Sequence, residues 1–150
     1  MKYIIKLSVL IVFIFNSFQG GAQINYKISK STNKISDLDY VFHFKKKATY
    51  DVDFKEFSNE KYSTLKVAVK LDSNGKGKLT LGYDHPEKVY STVESVVEKT
   101  YTNSSSKYWE ISGRYEDGIP YTLYLGFKDN LIYNFWYEFV DNTRIYHHVN

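Results

Sequence analysis

The residues best suited to acid–base or metal chemistry are the four histidines, His43, His85, His147 and His148. His147 and His148 are adjacent, and neighbours in an extended strand point to opposite faces, so the two cannot share one ion. A zinc site needs three or four converging ligands, and with no cysteine in the chain only His43 and His85 remain as further imidazoles. No metal and no cofactor is expected. His43 facing Asp51 has the makings of a base and its orienting carboxylate. However, no Gly-x-Ser-x-Gly elbow supplies a nucleophile, and a cross-strand ion pair accounts for the two residues. Asp72-Ser73-Asn74-Gly75-Lys76-Gly77 places oxygens at alternate positions, as a calcium loop does. Lys76 then stands at a ligand position and Tyr83 where a bidentate Glu is needed, so the segment reads as a hairpin turn. Asp37, Asp39, Asp51 and Asp53 read as a solvated strand face, and no catalytic residue is assigned.

A different chemistry, ring stacking, is offered by an aromatic set late in the chain. Tyr124, Ile132, Trp136 and Tyr146 alternate with inward-facing residues and are interleaved with Glu110, Arg114, Thr122, Asn134, Glu138 and His148. Trp136 is expected opposite Thr122 and His148. Flat rings beside carboxylate and amide groups suit a carbohydrate or an extended peptide. The candidate ligand-binding residues are Trp136, Tyr124, Tyr146, Arg114, Glu138 and His148. The competing explanation is a second core layer, covered by N-terminal strands.

Positioning these residues falls to strands. Apolar and polar residues alternate over short runs broken by Asn, Asp and Gly, the pattern of antiparallel strands with one buried face. Leu38, Tyr40, Phe42 and Phe44 form one inward row and Tyr50, Val52 and Phe54 the next. Pairing them in a hairpin sets Asp39 opposite Lys55 and His43 opposite Asp51. Leu65, Val67, Val69 and Leu71 pair with Leu79, Leu81 and Tyr83 across Ser73-Asn74-Gly75, where Gly75 takes the left-handed position. Trp109, Ile111 and Tyr115 turn through 116–120 into Tyr121, Leu123, Leu125 and Phe127. Lys128-Asp129-Asn130 leads to Leu131, Tyr133, Phe135, Tyr137 and Phe139, and Asp141-Asn142-Thr143 leads to Ile145, His147 and Val149. The segment 84–102 is open. Asp84 with Glu87 has capping-box spacing, favouring a short helix at 86–95, while its Val and Thr content favours strands, with one from about Val96 to Thr102. The fold class is therefore all-β: an antiparallel meander of about eight to ten strands forming a barrel or sandwich.

The chain has 150 residues, 15 tyrosines, two prolines and no cysteine. Leu7 to Phe15 is uncharged and largely apolar behind Lys2 and Lys6, too short for a bilayer span of roughly 20 residues. With Gly20-Gly21-Ala22 after it, residues 1–22 read as a signal peptide cleaved before Gln23, leaving 23–150 as one domain. The product is expected to be exported to the periplasm or beyond the cell, with no transmembrane helix after residue 22. Removing Lys2 and Lys6 from the 20 basic residues leaves 18 against 17 acidic ones. Only Arg114 and Arg144 are arginines, so nucleic acid is not expected as a partner. Lys45-Lys46-Lys47 reads as a solubilising loop, and Asn103-Ser104-Ser105 matches a glycosylation triplet.

The function expected is a non-enzymatic binding or interaction module for a carbohydrate, a peptide or a small apolar molecule. The alternative is a carrier of a small apolar ligand in a barrel interior, loosely lipocalin-like in architecture, which requires a cavity of about 300 Å³ or more. A small outer-membrane barrel is a third reading, opposed by short connections and by outward Lys66, Lys70, Asp51 and Asp53.

Overall fold

The structure, a computed structural model, describes residues 24–102, 104–128, 131–138 and 143–149. The expected signal peptide at 1–22, residues 129–130 and 141–142 of the expected turns, Phe139 and Asn103 lie outside the described residues. Described residues form strands and connections with no helix. A small sheet pairs β1 (Lys27–Ile28) with β2 (Ile35–Ser36). The large sheet contains β3 (Asp39–His43), β4 (Lys46–Asp51), β5 (Glu56–Phe57), β6 (Lys61–Tyr62), β7 (Lys66–Leu71), β8 (Gly77–Leu81), β9 (Val89–Thr100), β10 (Lys107–Tyr115), β11 (Pro120–Lys128), β12 (Leu131–Glu138) and β13 (Thr143–His148). Its order is β3-β7-β8-β9-β10-β11-β12-β13-β4-β5, with β6 also paired to β4. All pairings are antiparallel, and the sheet curls into an open half-barrel.

From β7 to β13 each strand pairs with its successor, so the meander is as the alternation predicts. The hairpin tip at 73–75 also forms as expected. Asp72 N–H donates to Lys76 O at 2.8 Å, and Gly75 has φ of +74°. A Cβ there would approach Ile35 O to 2.5 Å, so the position needs glycine for space as well as for conformation.

The β3–β4 hairpin does not form. β3 pairs with β7, setting Asp39 opposite Lys70 and His43 opposite Lys66, and β4 pairs with β13. The two are halves of one bent strand that leaves one edge of the sheet and joins the other at Phe44–Lys45. Phe44 N–H donates to Leu65 O at 2.9 Å, and Lys45 N–H donates to His148 O at 2.8 Å. The bend breaks the alternation: Phe42 and Phe44 are buried inward, but in β4 it is Ala48 that is buried, opposite Tyr146 on the outer face. Tyr50 follows Ala48 outward, the turn after β4 takes Val52 and Phe54, and Phe54 is exposed. Asp51 instead caps that turn, accepting from the N–H groups of Asp53 and Phe54.

The segment 89–100 is a single strand of 12 residues, so no helix forms at 86–95. Asp84 is drawn into an ion pair with Lys66 rather than a capping box. β-Branched side chains pack well on a pleated sheet between β8 and β10, and that outweighs the local helix signal.

The core lines the concave face, where Phe42, Phe44, Trp109, Leu123 and Phe135 are almost fully buried. One end is stoppered by the N-terminal hairpin, for which alternation gives no signal. Ile35 is fully buried, Tyr26 packs edge-on to Trp109 at 4.9 Å, and Glu98 N–H donates to Asn33 O at 2.8 Å.

Candidate functional site

Two places gather side chains with chemical potential: a row of rings on the convex face and a recess at the mouth of the half-barrel. The row follows from period-two alternation across adjacent strands. Glu110, Tyr124, Trp136, Tyr146 and Ala48 are successive cross-strand partners on β10, β11, β12, β13 and β4. Trp136 therefore faces Tyr124 and Tyr146, two residues from the expected Thr122 and His148; the faces are as predicted and the registers are not. Tyr124 stacks on Trp136 at 5.0 Å and 15°, and Tyr146 at 5.7 Å and 13°. Tyr101 lies nearly parallel at 6.2 Å and Tyr108 tilts against the indole at 6.0 Å, so Trp136 is only 6% exposed. Burial raises the pKa of Tyr124 and pushes Tyr101 up to about 12.

Of the other expected site residues, Glu138 sits two positions along the same face and is paired to Arg144 at 2.8 Å. His148 lies at 6.3 Å from Tyr146, nearly parallel, with its pKa lowered by burial. Arg114 is not brought to the rings. It lies four positions along β10 from Glu110, roughly 13 Å away at strand rise, and binds Glu94 and Gly118 O at 3.1 Å each. Ile132 is not on this face either. A bulge in β12 shifts the register between Gly126 and Phe127, turning Ile132 into the core and Tyr133 outward. Lys128 Nζ sits 5.7 Å over the Tyr133 ring. Asn134 packs over Gly126, where a Cβ would collide with its side chain, and its Oδ1 is buried without a hydrogen-bond partner.

The row extends beyond the predicted set. Phe57 packs on Tyr146 at 5.5 Å and on Tyr50 at 4.7 Å. Tyr108 was legible, being two residues from Glu110. Tyr50 and Phe57 were hidden by the bend at Phe44–Lys45, while Tyr101, just past the end of β9, continues the alternation of Val97 and Lys99 within the strand expected from about Val96 to Thr102.

The recess has a volume of about 720 Å³. It lies between β4 and β13 on one side and β7, β8 and the turn 82–88 on the other. Leu65 and Leu81 give it apolar floor, Lys47, Lys66, Asp84 and Glu87 stand among its walls, and Ser63 and His147 sit at its base. Ser63 and His147 are buried, with Ser63 Oγ 3.2 Å from His147 Nδ1. Ser63 Oγ also accepts from Leu65 N–H at 3.3 Å, and its second lone pair and its hydrogen let it either accept from Nδ1–H or donate to Nδ1. The rings of Phe44, Phe135 and Tyr137 surround this imidazole. Burial, with Lys47 and His148 adding to it, pulls its pKa down to about 4. His147 is thus neutral at physiological pH and a weak base. Its inward direction follows from alternation, but Ser63 lies in an irregular connection and carried no sequence signal.

In comparisons with known proteins, no family model, no curated protein and no solved structure matches the chain.

Proposed function

We propose that the protein is an exported, non-enzymatic binding domain that takes a small ligand in the recess at the mouth of the half-barrel. The observation that carries this reading is a recess of about 720 Å³ that combines a leucine floor with the buried Ser63–His147 pair. Small-molecule sites occupy roughly 300–1,000 Å³, largely apolar with a few placed polar groups. The low pKa of His147 supports binding over catalysis, since a general base works best with a pKa near the operating pH. Export rests on the leader-like residues 1–22, and the ion pairs on the convex face, such as Lys99–Glu110 and Arg144–Glu138, favour water over lipid around the sheet.

The aromatic row is a second reading, as a carbohydrate or peptide surface, favoured by the exposed Phe57 ring at one end of it. Both faces of Trp136 are already occupied by tyrosines, which leaves the row's stacking capacity spent on itself. A fragment screen by protein-observed NMR separates the two sites. Shifts are expected at Leu65, Leu81 and His147. Leu81→Trp should abolish binding by filling the floor, while Phe57→Ser should leave it unchanged. Hits that bind Leu81→Trp normally and are lost in Phe57→Ser would move the site to the convex face.

A further inference from the structure

Resting on the recess reading, we infer that the ligand is a small amphipathic carboxylate, its acid group held by Lys47 and His147 and its apolar body laid on Leu65 and Leu81. Lys47 and His147 are direct cross-strand partners on β4 and β13, and both line the recess. Lys46, the neighbouring lysine on β4, is paired with Glu60 at 3.0 Å, and Lys66 is paired with Asp84. Lys47 has no ion-pair partner among the described residues, so its ammonium brings an uncompensated positive charge to this wall.

The hydrogen bond to Ser63 engages Nδ1 of His147 and leaves Nε2 for a ligand. A carboxylate at Nε2 selects the tautomer in which Nδ1 accepts from the serine hydroxyl and Nε2 carries the hydrogen, because Ser63 Oγ can take either role towards Nδ1. An ammonium and an N–H donor on the same wall match the two oxygens of a carboxylate, which accepts from both, and such charge-assisted bonds are about twice as strong as neutral ones. Leu65 and Leu81 lie across the recess from Lys47 and provide apolar surface on a side where Lys66 and Asp84 neutralise each other. Glu87 stands on that side too, in the turn after β8, and repels an acid group placed there. The arrangement therefore orients an amphiphile with its acid towards β4 and β13 and its hydrocarbon towards β7 and β8.

The test compares octanoate, octanol and octylamine as probes, by calorimetry and by NMR of the His147 imidazole, with wild-type protein and Lys47→Gln. Octanoate is expected to bind wild-type protein at least about tenfold more tightly than octanol, the effect of one charge-assisted contact. It should shift the His147 ring signals. Lys47→Gln should bring octanoate close to octanol and leave octanol unchanged; Lys47 is exposed, so this variant should fold. Equal binding of octanoate and octanol, or tighter binding of octylamine, overturns the carboxylate assignment and leaves the recess standing as a site. Binding of none of the three, or binding of all three unaffected by Leu81→Trp, removes the recess itself, and this inference with it.

Discussion

Burial decides what His147 can do. Its ordinary pKa of 6.5 falls to about 4 in the native state, because an imidazolium among Phe44, Phe135 and Tyr137 would lose its hydration. Between those two values the unfolded chain takes up a proton that the folded chain refuses. The unfolded state therefore binds more protons, and stability falls as pH drops through this window, by about 3 kcal/mol once pH is below 4. Urea unfolding at pH 7.0 and pH 4.5 checks this. Wild-type protein should lose about 2 kcal/mol more than His147→Gln over that interval, by the same linkage. Parallel losses in the two proteins would show that His147 titrates alike in both states.

Among the elements, the C-terminal strands were the most legible and the bent strand the least. The rows from Leu65 to Leu81 and from Trp109 to Phe127 were readable because each strand has one wet face, so apolar residues recur with period two. Register was less legible: several even-numbered offsets preserve the faces, and the charge pairs used to choose among them are worth only a few tenths of a kcal/mol each. Bulges were invisible because one extra residue changes the phase without changing composition, which is how Ile132 and Tyr133 exchanged sides. The structure also sharpens what Trp136 does for these elements. With tyrosines stacked on both faces, it ties β11, β12 and β13 together on the side away from the core. Trp136→Ala should cost about 3 kcal/mol or more, as other buried large-to-small changes do. A measured loss under about 1 kcal/mol in urea unfolding would instead mark the row as a surface held ready for a ligand.

For the whole molecule, the fold class was legible and the closure was not. Alternation specifies strands and faces but says nothing about which edges meet. Here the chain passes directly from β3 at one edge of the large sheet to β4 near the other, and the stopper formed by residues 24–37 came with no periodic signal at all. Tyr26, Ile28 and Ile35 pack onto the core, and burying three such side chains contributes about 5 kcal/mol. That is comparable with the entire stability of a small domain, about 5–15 kcal/mol. A chain lacking residues 24–36 should therefore be marginally folded and bind hydrophobic dyes, as thermal unfolding and dye fluorescence can show. Stability within about 1 kcal/mol of the full chain would mean the hairpin merely rests on the barrel.

The pairing of Ala48 with Tyr146 joins residues 98 positions apart. Bringing such distant partners together carries a loop-closure cost before any contact repays it, and topologies of this kind fold slowly. During synthesis the seam has nothing to close against until the final strand emerges. The β4 edge therefore needs shielding in the growing chain until β13 arrives to pair with it.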